Sequence, residues 1–280
     1  MRIFVAGASG VLGRAFLPLA ITAGHEVIGM TRSGQGTQTV EALGATPVLA
    51  DALDRDQVAQ AVAKARPDAI VDLLTDLSTG NSASNALLRT EGTRNLVDAA
   101  RMAAVDRFVA ESISWIHAPG TAPADEDEPL DLDAAEPRRT TILGVQALEN
   151  AAHERSQGIV LRFGQLYGNG TWYARNGRFA DAVRAGGLPA TETVTSFVHV
   201  DDAARATLLA LGWPAGTWNI VDDEPAPGTD WVPVFARAMD GPDPLVTRSG
   251  DAGRPVANGR ARAQGLVLQY PSWRDGFLTS

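Results

Sequence analysis

The chain has 280 residues, a normal length for one α/β enzyme and ample for a large core. With 45% hydrophobic and 20% charged residues, its composition is globular and excludes wholesale disorder. The absence of cysteine removes disulfides, thiolate-bound metals and a thiol nucleophile, and a net charge of −9 argues against a general nucleic-acid or anionic-membrane surface.

No apolar run approaches the roughly twenty residues of a membrane span. Pro18 interrupts the stretch 15–23, and a strand-like run beginning at Arg2 argues against a signal peptide, so a cytoplasmic location is expected. Residues 3–6 read as a first strand, followed by a helix over about 11–23. Strands at 26–30 and 47–50 flank a short helical pattern at 38–43. Over 54–65, Val58 and Val62 lie four apart and Asp54 is placed to cap a helix. Residues 68–74 are nearly continuous in apolar side chains, as in a sheet covered on both faces. A long helix is expected over 84–103, then a strand at 107–110, a helix at 140–155 and a strand at 159–163. A strand at 197–200 leads into a helix at 201–211, and 218–221 is the last strand.

This alternation predicts an α/β fold of the Rossmann type, a doubly wound parallel sheet with right-handed crossovers. The expected dinucleotide-binding domain comprises 1–167 and 197–221. Segments 168–196 and 222–280, rich in glycine, proline and tryptophan, are expected to form a small, irregular substrate-binding part. The acidic run 125–133 shows no compensating base and reads as a solvated loop.

The turn from the first strand into the first helix reads Gly7-Ala8-Ser9-Gly10-Val11-Leu12-Gly13. Gly7 suits a tight turn, Gly10 admits a pyrophosphate close to the backbone, and Gly13 lets the helix pack on the sheet. Free N–H groups at the helix start face the anion. The spacing is G-x-x-G-x-x-G. Further matches are Ala50-Asp51-Ala52, Gly92-Thr93-Arg94-Asn95-Leu96-Val97-Asp98-Ala99-Ala100, Arg107-Phe108-Val109, Leu161-Arg162 with Tyr167-Gly168, and Phe197-Val198-His199-Val200-Asp201-Asp202. On these residues the chain resembles the extended short-chain dehydrogenase/reductase superfamily, in its epimerase/dehydratase-like branch, to about Val221.

The resemblance implies a nicotinamide dinucleotide held by Gly7, Ser9, Gly10, Val11, Leu12 and Gly13. It also places Asp51 and Ala52 near the adenine, Leu73, Leu74 and Thr75 near the middle of the cofactor, and Gln165 at the cofactor. A carboxylate ending the second strand would select NAD by accepting both ribose hydroxyls. Thr31-Arg32-Ser33 stands there instead, and Arg32 suits a 2′-phosphate, so NADPH is expected over NADH.

The family's usual chemistry takes a Y-x-x-x-K pair and an upstream serine. The three tyrosines, Tyr167, Tyr173 and Tyr270, have no lysine four residues on, and Lys64 is the only lysine. Aligning the pattern on Glu149 puts Thr141 at the tyrosine position, Val145 at the lysine position and Ile113 at the serine position. Ser112, Ser114, His117 and Thr141 remain as candidate donors. Trp115, His117, Trp172, Tyr173 and Phe179 are candidate substrate contacts, suited to a flat apolar ligand. The four histidines lack short ligand spacing, so no metal site is expected, and there is no G-x-S-x-G elbow.

The chain looks like atypical superfamily members of bacterial aromatic polyketide pathways. That likeness implies an NADPH-dependent ketoreductase acting on a small aromatic ketone, polycyclic and quinone-like, of the angucyclinone type. Proton delivery would come from the substrate's own phenol. A dinucleotide sensor without catalysis, and a sugar-nucleotide epimerase or dehydratase, stand as alternatives. No nucleic-acid or membrane partner is expected, and the sequence leaves the oligomeric state open.

Overall fold

The computed structural model describes residues 1–76, 82–248 and 253–279. In chain order its elements are β1 (Arg2–Ala6), α1 (Val11–Thr22), β2 (Glu26–Thr31), α2 (Gly34–Ala42), β3 (Thr46–Leu49), α3 (Arg55–Ala65), β4 (Ala69–Asp72) and α4 (Ser82–Leu87). A π-helical turn (Leu88–Gly92) leads into α5 (Thr93–Met102), β5 (Arg107–Ile113), α6 (Arg138–His153), β6 (Gln157–Phe163), β7 (Gln165–Tyr167), α7 (Arg178–Arg184) and β8 (Val194–Thr195). The remainder is β9 (Phe197–His199), α8 (Val200–Ala210), β10 (Gly216–Ile220), β11 (Ala226–Pro227), α9 (Gly228–Ala238), α10 (Gly259–Ala263) and α11 (Trp273–Thr279).

The fold is the expected Rossmann-like α/β one. Seven strands make the central parallel sheet, in the order β10-β6-β5-β4-β1-β2-β3. Phe4 in β1 pairs with Ile28 of β2 on one side and Ile70 of β4 on the other. The chain winds outward in both directions from β1 and β4. Their carboxyl ends therefore form the switch point at which such sheets bind ligands.

The chain divides into two compact units: Met1–Ser112, Leu132–Leu161 and Ala204–Thr217 form the first, and Ile113–Asp131, Arg162–Ala203 and Trp218–Ser280 the second. This differs from the sequence-based division by placing 113–131, 162–167, 197–203 and 218–221 with the second unit. The core of the first unit packs Phe4, Met30, Ile70, Leu96, Phe108 and Val160, all essentially inaccessible.

The helix expected over 84–103 is broken. Thr90 Oγ1 donates to the carbonyls of Ala86 (3.0 Å) and Leu87 (3.2 Å), and a π turn over 88–92 separates α4 from α5. Such a turn adds one residue to the helical repeat, and hydroxyl bonding to the preceding turn favours distortion. The 3.6-residue pattern survives on either side, which is why the break is invisible to periodicity.

In the second unit α7, α9 and α11 pack around Tyr173, Phe197, Trp231, Phe235 and Phe277. Proline and glycine mark helix starts and bends there, with Pro227 before α9 and Pro233 inside it. One expectation is corrected: the acidic run does have counter-charges. Glu126 is buried and accepts from the Asn219 N–H at 2.8 Å. Arg260 pairs with Glu126 (3.4 Å) and Asp127 (2.7 Å), and Arg254 with Glu128 (3.2 Å). The bases come from more than a hundred positions away in sequence.

The end of the chain is tied down by Asp202 in α8. This fully buried carboxylate accepts the N–H of Gln269 through Oδ1 and of Tyr270 through Oδ2, both at 2.8 Å. Asp202→Ala would leave both amides without their acceptor, and each such loss costs about 1–3 kcal/mol. Urea denaturation should show a loss of about 2–4 kcal/mol, with Asp202→Asn losing less. A change under about 0.5 kcal/mol, the level of an ordinary surface substitution, would remove Asp202 as an anchor.

Candidate functional site

At the carboxyl ends of β1 to β4 the first unit carries an open cleft of about 200 Å³. Gly7 opens its floor with φ +77°, and a Cβ there would stand 2.3 Å from the Leu73 carbonyl oxygen. Only glycine tolerates both the conformation and the contact. The Gly10 N–H then donates to the Gly7 carbonyl at 2.9 Å, and Gly10 becomes the N-cap of α1 with no side-chain cap. The orphan N–H groups of the first helical turn are thus left for an anion. At Gly13 a Cβ would stand 2.5 Å from the Ala8 carbonyl oxygen, so helix and turn are in backbone contact. At Gly10 a Cβ would meet only the Gly7 oxygen, at 3.1 Å.

Ten of the residues expected at a cofactor line this cleft: Gly7, Ser9 and Gly10 from the first turn; Thr31 and Arg32 from the end of β2; Asp51 and Ala52 after β3; and Leu73, Leu74 and Thr75 after β4. Val11, Leu12 and Gly13 form the first turn of α1 and are not among the lining residues, and Gln165 lies on β7 in the second unit. Met30, Ala50, Asp76 and Leu88 line the cleft although sequence reasoning did not place them at the cofactor. Met30, Ala50 and Asp76 adjoin Thr31, Asp51 and Thr75 in the chain, so continuity was a usable signal. Leu88 enters from the π turn, which has no sequence signature here.

The β2–α2 corner is held by hydroxyls. Ser9 Oγ and Thr31 Oγ1 are 2.9 Å apart, and Ser33 Oγ caps α2 by accepting from the Gly36 N–H at 3.0 Å. Arg32 projects from this corner with its side chain 65% exposed.

Three ionisable residues interact near the end of β4: Asp72 and Arg89 are buried, and Glu111 is half-buried. Asp72, the last residue of β4, accepts from Thr93 Oγ1 at 2.7 Å and from the Leu74 N–H at 3.1 Å. Burial pushes its carboxyl up to about 6, with both hydrogen bonds opposing. Burial pushes Glu111 on β5 up to about 7; the Arg89 guanidinium opposes this and the Asp72 charge adds to it. Glu111 Oε2 is buried and accepts no hydrogen bond among the described residues. Burial lowers Arg89, in the π turn, against the attraction of Glu111.

The candidate donors fall in different surroundings. Ser112 is buried and donates to Glu149 Oε1 at 2.7 Å. Thr141 and Val145 lie one turn apart on α6, both buried. In the second unit Ile113 is half-buried, Ser114 is buried, and the Ser114 N–H donates to the Phe163 carbonyl at 2.8 Å. His117 is buried with Nδ1 3.3 Å from the Pro129 carbonyl. Trp172, Tyr173 and Phe179 come together: Phe179 sits 5.8 Å from Trp172 and 4.7 Å from Tyr173. Trp115 is 39% exposed. Tyr167 and Tyr173 are core rings whose phenols burial pushes well above the usual range. Lys64 is exposed in the last turn of α3.

The sequence model of the NAD dependent epimerase/dehydratase family matches residues 3–220, and the chain belongs to that family. The 3-diazoavenalumate denitrifying reductase of a Streptomyces species is 41% identical over 304 aligned residues, covering 99% of each chain. The 4-hydroxy-2-methyl-3-oxo-4-farnesyl-3,4-dihydroquinoline-1-oxide ketoreductase of Stigmatella aurantiaca is 33% identical over 132 residues, 46% of this chain and 39% of that one. Among solved structures, the Bordetella bronchiseptica enzyme WbmH in complex with NAD+ superimposes with a TM-score of 0.82 at 20% identity, over 100% of this chain and 96% of that one. The UDP-glucose 4-epimerase of Thermus thermophilus in complex with NAD gives 0.79 at 22%, over 99% and 97%. These two likenesses are of fold. Among the described residues no helix is long and apolar enough to cross a membrane, and no group of three or more His, Cys, Asp or Glu is placed to hold a metal.

Two predictions follow from the glycines and from Glu111. Gly10→Leu should fold with an unchanged circular dichroism spectrum and show no calorimetric binding of NADPH or NADH, because its side chain enters the anion site. Gly13→Leu should instead lose stability by about 3 kcal/mol or more through backbone overlap. A folded Gly10→Leu protein that keeps its cofactor affinity would reject the phosphate-loop assignment.

Glu111 has a folded pKa above its ordinary 4.5, so the stability it contributes is full below that value and is lost as pH rises toward about 7. From pH 5 to pH 8, Glu111→Gln should lose about 1–3 kcal/mol less stability than the unmutated protein in urea titrations. Equal losses would mean that Glu111 ionises alike in the folded and unfolded chains.

Proposed function

We propose that this chain is an NADPH-dependent reductase that delivers hydride to an electrophilic aromatic compound without an acid from the protein, an aryl diazo compound being the favoured substrate class. The likeness to a denitrifying reductase over 99% of both chains carries the reading. The cleft suits the cofactor on its own geometry: a glycine turn that excludes side chains, an uncapped helix start, and a strand-end arginine. Bound there, a reduced nicotinamide supplies a hydride. Gly7 and Gly10 bring backbone to the pyrophosphate, the first turn of α1 offers N–H donors, and Arg32 takes the 2′-phosphate.

The tyrosines support the same reading. Tyr167 and Tyr173 serve packing, Tyr270 stacks on His199 at 3.8 Å, and none is followed by a lysine. Carbonyl reduction leaves an alkoxide that needs a proton, which is why a tuned acid normally accompanies it. Dediazoniation has another balance. An arenediazonium gains one hydride: its C–N bond breaks, N2 leaves with that bonding pair, and a new C–H bond forms at the same carbon, with no alkoxide to protonate.

A second reading is favoured by the 132-residue likeness to a ketoreductase. It is reduction of a ketone on a quinone-like, angucyclinone-type polyketide. A phenol beside the carbonyl, with a reference pKa near 10, would then pass its proton to the new alkoxide. Positioning would provide most of the acceleration.

The test offers NADPH with a stable hydroxyaryl diazo compound or with an ortho-hydroxyaryl ketone, each with a protein-free control. The expected result is enzyme-dependent NADPH loss matched by N2 release from the diazo compound. Thr141→Val and His117→Ala should slow turnover less than about tenfold, short of the roughly 10²–10⁴ lost with a general acid. Turnover of the ketone alone would select the second reading. A hundredfold loss in either variant with cofactor binding intact would show a protein acid. Tight cofactor binding with no turnover of either compound would point to a sensor.

A further inference from the structure

In the second unit, segment 175–184 carries three arginines, and two of them are committed to the protein. Arg175 donates to Asp240 (3.0 Å) and to the Ala238 carbonyl (2.8 Å). Arg184 donates to the carbonyls of Met239 (3.0 Å) and Arg175 (2.7 Å) and to Asp181 (3.3 Å). Arg178, between them, makes no side-chain hydrogen bond or ion pair among the described residues. Its guanidinium carbon stands 4.6 Å from the centre of the Trp172 ring and 5.6 Å from that of Phe179. The backbone holds both rings in place. Thr171 Oγ1 donates to the Gly168 carbonyl at 2.8 Å and accepts the Tyr173 N–H at 3.2 Å, and the Phe179 N–H donates to the Trp172 carbonyl at 3.0 Å. Gly177 sits so close to the Thr171 and Trp172 carbonyls that no Cβ fits there. Tyr173 belongs to the core, whereas Trp172 and Phe179 remain half-buried under an exposed Arg178.

We propose that Trp172, Phe179 and Arg178 form a binding site for an aromatic carboxylate, the two rings taking the arene and the guanidinium the acid group. The inference deepens the reductase reading above and rests on it in one respect, that this acid is the aryl substrate. A ring face offsets a guanidinium's charge without filling its N–H donors. Those donors form a planar fork that matches the two oxygens of a carboxylate. A conjugated carboxylate is as flat as its arene, so one planar ligand meets rings and fork together. A phosphate dianion, with three oxygens and more charge, would call for a second cation, and Arg175 and Arg184 are committed elsewhere.

Calorimetric titration of 4-hydroxycinnamate into the full chain, with and without NADP+, tests the site without requiring turnover. The neutral 4-hydroxycinnamamide is the control. The unmutated protein should bind the acid about tenfold more tightly than the amide, the value of one charge-assisted hydrogen bond. Arg178→Gln should lose that preference by weakening the acid about tenfold, with the amide unchanged within about a factor of two. Trp172→Leu should weaken both ligands, and both variants should keep the far-ultraviolet circular dichroism spectrum of the unmutated protein. No binding of the acid, equal affinity for acid and amide, an unchanged acid affinity in Arg178→Gln, or Trp172→Leu without effect would overturn the inference. Uridine monophosphate held through Arg178 more tightly than the acid would assign the cation to phosphate instead. Failure of the reductase reading has a separate signature: Arg178-dependent binding of the acid would persist while NADPH is not consumed with an aryl diazo acid.

Discussion

The turn after β1 passes so close to the end of β4 that no side chain fits between them. Gly7 holds this contact, with the Leu73 carbonyl where its Cβ would be. The register makes the approach unavoidable, since Ala6 pairs with Asp72 and the Leu73 N–H donates to the Ala6 carbonyl at 3.0 Å. Asp72 then sets the path beyond the strand, because its carboxylate accepts the Leu74 N–H. Leu73, Leu74 and Thr75, one wall of the cleft, follow from that hydrogen bond. The opposite wall follows from the Ser9 and Thr31 hydroxyls, which meet where Gly36 leaves them room.

Keeping Asp72 inside the fold carries an electrostatic cost that the surroundings only partly offset. Thr93 and Leu74 donate to it, but burial still dominates its titration. Glu111 adds a second carboxyl to the same interior, and Arg89 is the cation that faces it. Arg89 arrives from the π turn. The irregularity in the helix and this cation share one place in the chain: the distorted turn carries Arg89, whose charge attracts the Glu111 carboxyl.

The sequence was legible where a local pattern has one physical cause. Apolar runs gave the strands of the sheet, and the spacing of Gly7, Gly10 and Gly13 gave the turn, because each follows from residues close in sequence. Asp54 capping α3 is of the same kind, with Oδ1 accepting from the N–H groups of Asp56 and Gln57. What escaped depends on partners distant in sequence. Arg260 meets Asp127 across 133 positions, so the acidic run looked uncompensated. Trp231, Phe235 and Phe277 converge on Tyr173 only after folding. Asp76 likewise meets Arg32 from 44 positions away.

The buried tyrosines connect packing to the proposed chemistry. A phenol is a useful proton donor when its pKa is drawn down toward the working pH. Burial does the opposite at Tyr167 and Tyr173 by withdrawing the phenolate from solvent, and at Tyr167 the charges of Asp222 and Asp202 add to the effect. The chain's lysine is out on α3 and exposed, so it provides no such cation in that core. A reductase so built is suited to substrates that carry their own driving force. A diazonium group ends as N2, and an internally hydrogen-bonded ketone brings its own proton. On the reading proposed above, the protein's contribution to either reaction would be to hold hydride donor and acceptor in register and to exclude water from between them. A glycine-lined phosphate turn and a rigid aromatic core are elements suited to that task.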